Sequence, residues 1–322
     1  MQILYVSVHE PLQYDEVSLF EELGANVHVG NKLGTKPGSP KMRPAAGTNV
    51  TWDESSLSQY DVIIVMHNWP ALKRIYQAKS PGQRIIWRTI GQCVPRQERN
   101  VKAWCKDLEI IRYSPRERLI GPWYAGETEI IRFYKDEAQF EGWTGGGGIN
   151  MIASRFGQRK LPDHELVAKA LEPFDWKLYG RNEGHPKGAG FLDYDDLIPT
   201  LHASDVFVSA HSMPACYTLN LMEGMMSGAP VVTIGRSVLE QFTNHVPDAP
   251  GLPSAMFEVD EIITHGENGI LISSPEQAQE DIRELLSDRK KAEDMGRKGR
   301  ERAIELFGKA KIKEQWRQFL GL

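Results

Sequence analysis

The sequence predicts an α/β protein made of two doubly wound halves. Three observations carry that reading. Short apolar runs of strand length alternate with amphipathic stretches of helical period through most of the chain. Some runs are almost continuously apolar, as in DVIIVM over 61–66, the pattern of a parallel strand covered on both faces. The alternation then restarts after four consecutive glycines at 145–148. The 322 residues fit about two domains at roughly 150 residues each.

Taken in order, Ile3–Val8 opens the first half as a strand. Glu16–Leu23 reads as a helix ended by Gly24, and Asn26–Val29 as the next strand. Asp61–Met66, Arg84–Arg88 and Glu109–Arg112 are further strands. The glycine run, flanked by Gly142, Trp143 and Thr144, is the linker candidate, so a first domain is expected over 1–148. The second, over 149–305, holds strands at Ile149–Ser154, Trp176–Tyr179, Asp205–Ala210 and Pro230–Ile234. Helices are expected at Asp163–Leu171, Leu219–Ser227, Pro275–Leu286 and Lys290–Leu306. Residues 236–260, with Pro247, Pro250 and Pro253, form an extra loop. A last helix over 309–320 puts Ile312, Trp316 and Leu320 on one side, and segment 306–322 is expected to pack back on the first domain. Two doubly wound halves joined in this way predict a cleft, with ligands at the carboxyl ends of the strands.

Composition narrows the function classes. Hydrophobic residues are 41% and charged residues 25%, which excludes a disordered or fibrous chain. The net charge of −5 argues against polyanion binding by bulk charge. No apolar run is long enough for a membrane span. The N-terminus, MQILYVSVHE, has no basic stretch or long apolar core, so no signal peptide is expected. Cys93, Cys105 and Cys216 are widely spaced and odd in number, which suits a reducing, cytoplasmic setting rather than a disulfide scaffold or zinc knuckle.

The richest chemistry lies in Ser204–Ile234, SDVFVSAHSMPACYTLNLMEGMMSGAPVVTI. A strand ends near Ala210, and Thr218 is a plausible N-cap for a helix that follows. Its first N–H groups, near Thr218 and Leu219, and its dipole would suit a diphosphate. Glu223, one turn on, could accept hydrogen bonds from the vicinal hydroxyls of a ribose. Its apolar neighbours Leu221, Met222, Met225 and Met226 argue against full exposure.

SDVFVSA and LNLMEGMMSGAPVV together resemble the signature of retaining glycosyltransferases of family 4, which have the GT-B fold. Further segments agree in order. IASRFGQRK (152–160) resembles the family's strand-end arginine with a lysine five residues later, which implies that Arg155 and Lys160 hold the diphosphate of a nucleotide sugar. WKLYG, ending at Gly180, is similar to the turn before the base pocket. GFLDYDDL, with Phe191, resembles the segment flanking the base. EIITHGENGILI and MGRKGRERAIELF match the closing elements. DVIIVMHNWP resembles the strand that ends in a histidine near the donor sugar, here His67. His9 and Glu10 stand where the family has a glycine-rich loop, which is not recognisable in this chain.

One position departs. The family's first glutamate would lie eight residues before Glu223, and Ala215 stands there, followed by Cys216 and Tyr217. His211 or backbone N–H groups are the candidate substitutes for the lost donor-sugar contact. The resemblance otherwise implies a retaining transfer from a UDP- or GDP-sugar to an acceptor hydroxyl. The leaving group would be held by Arg155, Lys160 and a helix N-terminus. His67 would position the sugar or share positive charge. No metal and no further cofactor are expected, because no Asp-x-Asp pair stands at a strand end. Asp193, Asp195 and Asp196 look like a helix cap instead.

From Lys73 to Arg118 there are twelve Lys and Arg against four acids, with Tyr76, Trp87, Trp104 and Tyr113 interleaved. That stretch suits an anionic acceptor: a lipid phosphate at a membrane surface, a phosphorylated sugar or a nucleic acid. It also suits a plain solvated face. The alternatives are a GT-B nucleotide-binding protein without turnover, a sugar phosphorylase, and a glycosyltransferase acting on modified DNA.

Overall fold

The structure, a computed structural model, describes residues 1–30, 43–92, 94–158, 162–210, 215–241 and 252–322. It divides into unit 1, Met1–Tyr134 with Lys309–Leu322, and unit 2, Lys135–Gly308.

Unit 1 runs β1 (Gln2–Ser7), α1 (Glu10–Glu22), β2 (Asn26–Val29), β3 (Thr48–Asn49), β4 (Val62–Met66), α2 (Trp69–Ala78), β5 (Arg84–Arg88), α3 (Pro95–Trp104), β6 (Glu109–Arg112) and β7 (Glu129–Ile130). The strands form one parallel sheet in the order β3-β2-β1-β4-β5-β6-β7. VIIVM of β4 is buried at every residue, because helices cover both faces of the central strands. The helix expected to start at Glu16 starts six residues earlier, with Pro11 in its first turn. α2 starts with the Asn68 side chain accepting the Ala71 N–H at 3.2 Å.

Unit 2 runs β8 (Ile149–Ile152), α4 (Pro162–Leu171), β9 (Trp176–Tyr179), β10 (Gly188–Gly190), α5 (Tyr194–Ala203), β11 (Val206–Ser209), α6 (Leu219–Ser227) and β12 (Val231–Ile234). α7 (Arg236–Glu240), α8 (Leu252–Met256), α9 (Val259–Ile262), β13 (Ile270–Ile272), α10 (Pro275–Ser287) and α11 (Arg289–Phe307) complete it. Its parallel sheet has the order β10-β9-β8-β11-β12-β13. The sequence 236–260, read as an extra loop, contains α7 and α8, and residues 242–251 lie outside the described part.

The chain divides at Tyr134 and Gly308, whereas the sequence expectation placed the boundaries at 148 and 305. The reason is local. The glycine run is bound inside unit 2: the Gly146 and Gly148 N–H groups donate to the two oxygens of Asp205, at 2.7 and 2.9 Å. The Gly147 N–H donates to the Ala203 carbonyl, and a Cβ there would lie 2.7 Å from that oxygen. Gly147 thus serves close approach and Gly146 and Gly148 a left-handed backbone, at φ +88° and +77°, rather than flexibility.

After Gly308 the chain re-enters unit 1 as α12 (Lys309–Leu320). Trp316 is fully buried there, edge-on to Phe20 at 4.9 Å, and Lys309 and Lys313 both reach Glu22.

Candidate functional site

Each sheet reverses its strand order once, between β1 and β4 in unit 1 and between β8 and β11 in unit 2. Ligands of open α/β sheets bind at the carboxyl ends of strands at such a point. Of the residues singled out in the sequence, His67, Arg155, Thr218 and Leu219 lie at the ends of the strands beside these two points.

In unit 2 the β8 strand ends in the turn Ala153–Gly157. Asn182, just after β9, stitches this turn down: its Nδ2 donates to the Ala153 carbonyl at 2.6 Å and its Oδ1 accepts the Phe156 N–H at 2.9 Å. Gly180 has φ +120°, and a Cβ there would meet the Ala153 carbonyl oxygen at 2.4 Å. No other residue permits that approach. Arg155 is held inside this frame at φ +59°, its N–H donating to the Arg181 carbonyl at 2.9 Å. Its guanidinium is exposed and has no ion pair among the described residues. Arg181 is exposed and unpaired in the same way. Two free cations therefore flank the carboxyl end of β8. Lys160 lies outside the described residues, as does His211.

α6 starts beside them. Asn220 Nδ2 donates to the Ile152 carbonyl at 2.8 Å, and Ser209 Oγ donates to Asn220 Oδ1 at 3.1 Å. These bonds pin the first turn of α6 against the ends of β8 and β11. Thr218 stands at the N-cap as expected but caps nothing: its Oγ1 donates to the Asn220 side chain instead. The early N–H groups, from Leu219 onward, thus lack a side-chain cap and keep their positive dipole end.

Three expected site residues sit elsewhere. Tyr217 is 1% exposed and packs against Phe307 with ring centroids 5.2 Å apart, so its ring belongs to the core. Phe191 is half-buried just after β10. Glu223 is enclosed, and its Oε1 accepts from Lys135 Nζ at 3.0 Å, with neither side chain more than 5% exposed. Asp193 occupies the N-cap position of α5 without a side-chain capping bond.

In unit 1, His67 follows β4 at φ +48°, and its N–H donates to the Arg88 carbonyl at 3.1 Å. Its ring lies near Trp87 and His9, with centroids at 6.5 and 5.9 Å. Burial, with His9 beside it, lowers the His67 pKa to about 4. Without a ligand the imidazole is therefore neutral at pH 7, which favours positioning of the sugar over sharing of positive charge as the role expected of it. Beneath it Arg88 and Glu16 form a buried ion pair at 2.8 Å, and Tyr5 Oη donates to the other Glu16 oxygen at 2.5 Å.

Among the described residues, His67 and Arg155 are the two non-glycine residues with positive φ. That conformation costs roughly 1–3 kcal/mol and persists only where surrounding bonds over-determine it. Both occupy the first loop after a strand at a switch point. The sequence missed Arg181, Asn182, Asn220 and Lys135. Arg181 and Asn182 directly follow Gly180, and that adjacency was the available signal. Lys135 carried none, because its partner is 88 residues away.

The sequence of residues 159–316 matches a family described as Glycosyl transferase-like. No curated protein sequence matches the chain. Among solved structures, the sucrose-phosphate synthase of Thermosynechococcus elongatus superposes with a TM-score of 0.68 at 17% identity, covering 99% of this chain and 98% of that one. HepE of Anabaena, in complex with UDP, gives 0.71 at 14% identity over 100% of both chains. An α-glucosyltransferase in complex with UDP and a 13-mer DNA containing an HMU base gives 0.63 at 14%, covering 98% of each. The fold is that of the GT-B glycosyltransferases.

Proposed function

From a chain that is glycosyl transferase-like over 159–316 and has the GT-B fold throughout, we propose a glycosyltransferase that moves a sugar from a UDP-sugar to an acceptor hydroxyl. The observation that carries this reading is Arg155, free, exposed and strained at the carboxyl end of β8, beside Arg181 and the uncapped start of α6. UDP is preferred over GDP because HepE and the α-glucosyltransferase were solved with UDP, and HepE also with UDP-glucose.

The chemistry follows from the charges. The bond between the anomeric carbon and the β-phosphate oxygen breaks, and its electron pair leaves on the diphosphate. Arg155, Arg181 and the first N–H groups of α6 stabilise that charge, with Lys160 as a further cation. Side-chain cations in this role make the transfer metal-independent. The acceptor oxygen bonds to the anomeric carbon on the face the diphosphate vacates, and its proton passes to a leaving phosphate oxygen. Retention of configuration is the result, with no side-chain nucleophile. His67, uncharged at pH 7, offers a hydrogen-bonding imidazole to a hydroxyl. A cytoplasmic location accords with the widely spaced, odd-numbered cysteines of the sequence.

UDP release from UDP-glucose, followed with and without acceptor hydroxyls, tests the reading. NMR of the product anomeric proton tests retention. Release of UDP with inverted product would remove the front-face step. No release from any UDP-sugar would leave a nucleotide-binding protein without turnover.

A further inference from the structure

Apart from Arg116, the cations of this stretch of unit 1 fall into two populations. Arg74, Lys79, Arg84, Arg88, Arg112 and Arg118 each pair with a carboxylate. Lys73, Arg96, Arg99, Lys102 and Lys106 are exposed and have no carboxylate partner among the described residues. All five lie on α2, on α3 or just after α3. The aromatic residues divide the same way. Trp87 and Tyr113 are core, each 2% exposed, whereas Trp104 is 70% exposed.

Two of these cations, Lys73 and Arg96, meet the exposed Trp104 at one cavity. α2 and α3 enclose about 270 Å³ walled by Trp69, Tyr76 and Trp104, with Lys73 and Arg96 also lining it. Gln77 and Asn100 add amide groups able to donate and accept. Arg96, Asn100 and Trp104 are spaced by four along α3, so they form one row down the groove. Cys105 lines the cavity too, and burial pushes its thiol up to about 11, which leaves it unreactive at neutral pH.

The volume suits one planar ring rather than a large ligand. Aromatic walls, amides for ring edges and cations for phosphates are the elements that bind an unstacked base and its backbone. A bilayer would need an outward apolar face. The exposed residues of α3 are Arg96, Arg99, Lys102, Ala103 and Trp104, three cations and a single large apolar side chain rather than an apolar stripe. A phosphorylated sugar would use two cations and leave Arg99, Lys102 and Lys106 without purpose. We propose that the α2–α3 groove of unit 1 binds a single-stranded nucleic acid, one base inserted against Trp104 and its phosphates on Lys73 and Arg96. That this strand is the acceptor of the transferred sugar rests on the glycosyltransferase reading; the binding does not.

Anisotropy of a labelled single-stranded DNA 20-mer, titrated with the full chain across salt concentrations, tests the proposal. The same titration is run with duplex DNA and with phosphatidylglycerol vesicles. Single-strand binding is expected, weakened about ten-fold by Trp104→Ala through loss of one base stack. The logarithmic salt slope should lie between about −1.4 and about −3.5, for two to five phosphate contacts on a single strand. Lys73→Ala with Arg96→Ala should flatten it. Trp104 is so exposed that its replacement leaves the fold intact, and the UDP-induced thermal shift of the variant should equal that of the parent. Duplex binding as tight as single-strand binding, unaffected by Trp104→Ala, would overturn the proposal. So would capture by vesicles without capture of DNA, or no binding to either. None of these results would touch the UDP site, which the thermal shift reads separately.

Discussion

Arg155 and His67 show how much a single residue can carry. Both hold a left-handed backbone that a side chain resists, and the bonds of Asn182 and of the Arg88 carbonyl keep them there. Arg155→Gly should therefore stabilise the protein by about 1 kcal/mol, because glycine adopts that conformation freely. The same substitution should weaken UDP binding about ten-fold or more, since a charged hydrogen-bond donor is lost. Calorimetric unfolding and UDP titration of this one variant separate the two effects; a variant both less stable and unchanged in affinity would contradict the assignment. His67 makes a pH prediction. Its folded-state pKa of about 4 lies below the ordinary 6.5, so the unfolded chain takes up a proton first. The contribution to stability is complete above pH 6.5 and is lost as pH falls from there to about 4. His67→Asn, which tolerates the backbone, should show a shallower decline of Tm over that window. His9, also lowered by burial, contributes in the same direction.

At the scale of elements, the sequence showed most of the strands because parallel strands buried on both faces are apolar throughout. Asn26–Val29, Arg84–Arg88, Glu109–Arg112 and Trp176–Tyr179 have the limits read from the pattern. α2 and α3 were missed, since their starts depend on Asn68 and on Pro95 rather than on a long apolar stripe. The glycine run was misread for a different reason. Composition reports freedom in the unfolded chain, whereas Asp205 and Ala203, which bind these glycines, come nearly sixty residues later. The Lys135–Glu223 pair was equally invisible, and it changes what α6 does. Glu223→Ala should cost up to about 3–5 kcal/mol by breaking the buried ion pair with Lys135. Replacing both, as Glu223→Leu with Lys135→Met, should recover most of that loss in chemical denaturation. If the single variant were as stable as the parent, the pair would not be holding α6 to the segment that opens unit 2.

At the scale of the whole molecule, two sheets with the same reversal of strand order put chemistry at equivalent positions, and unit 2 carries the free cations expected of a diphosphate site. The GT-B resemblance was legible because its segments occur in order over the second half of the chain. The acceptor side was only half legible: twelve cations were countable, but which of them were already paired depended on contacts such as Arg88–Glu16, 72 residues apart. The central claim is a UDP site at the carboxyl end of β8, and a thermal-shift titration with UDP tests it most directly. Arg155→Ala is the control, because Arg155 is exposed and makes no ion pair among the described residues, whereas a Glu223 variant would also break a buried pair. UDP at about 100 times its dissociation constant should add roughly 2.7 kcal/mol of stability to the parent, and the variant should lose most of the shift. No shift with UDP, or an equal shift in both proteins, would contradict the account.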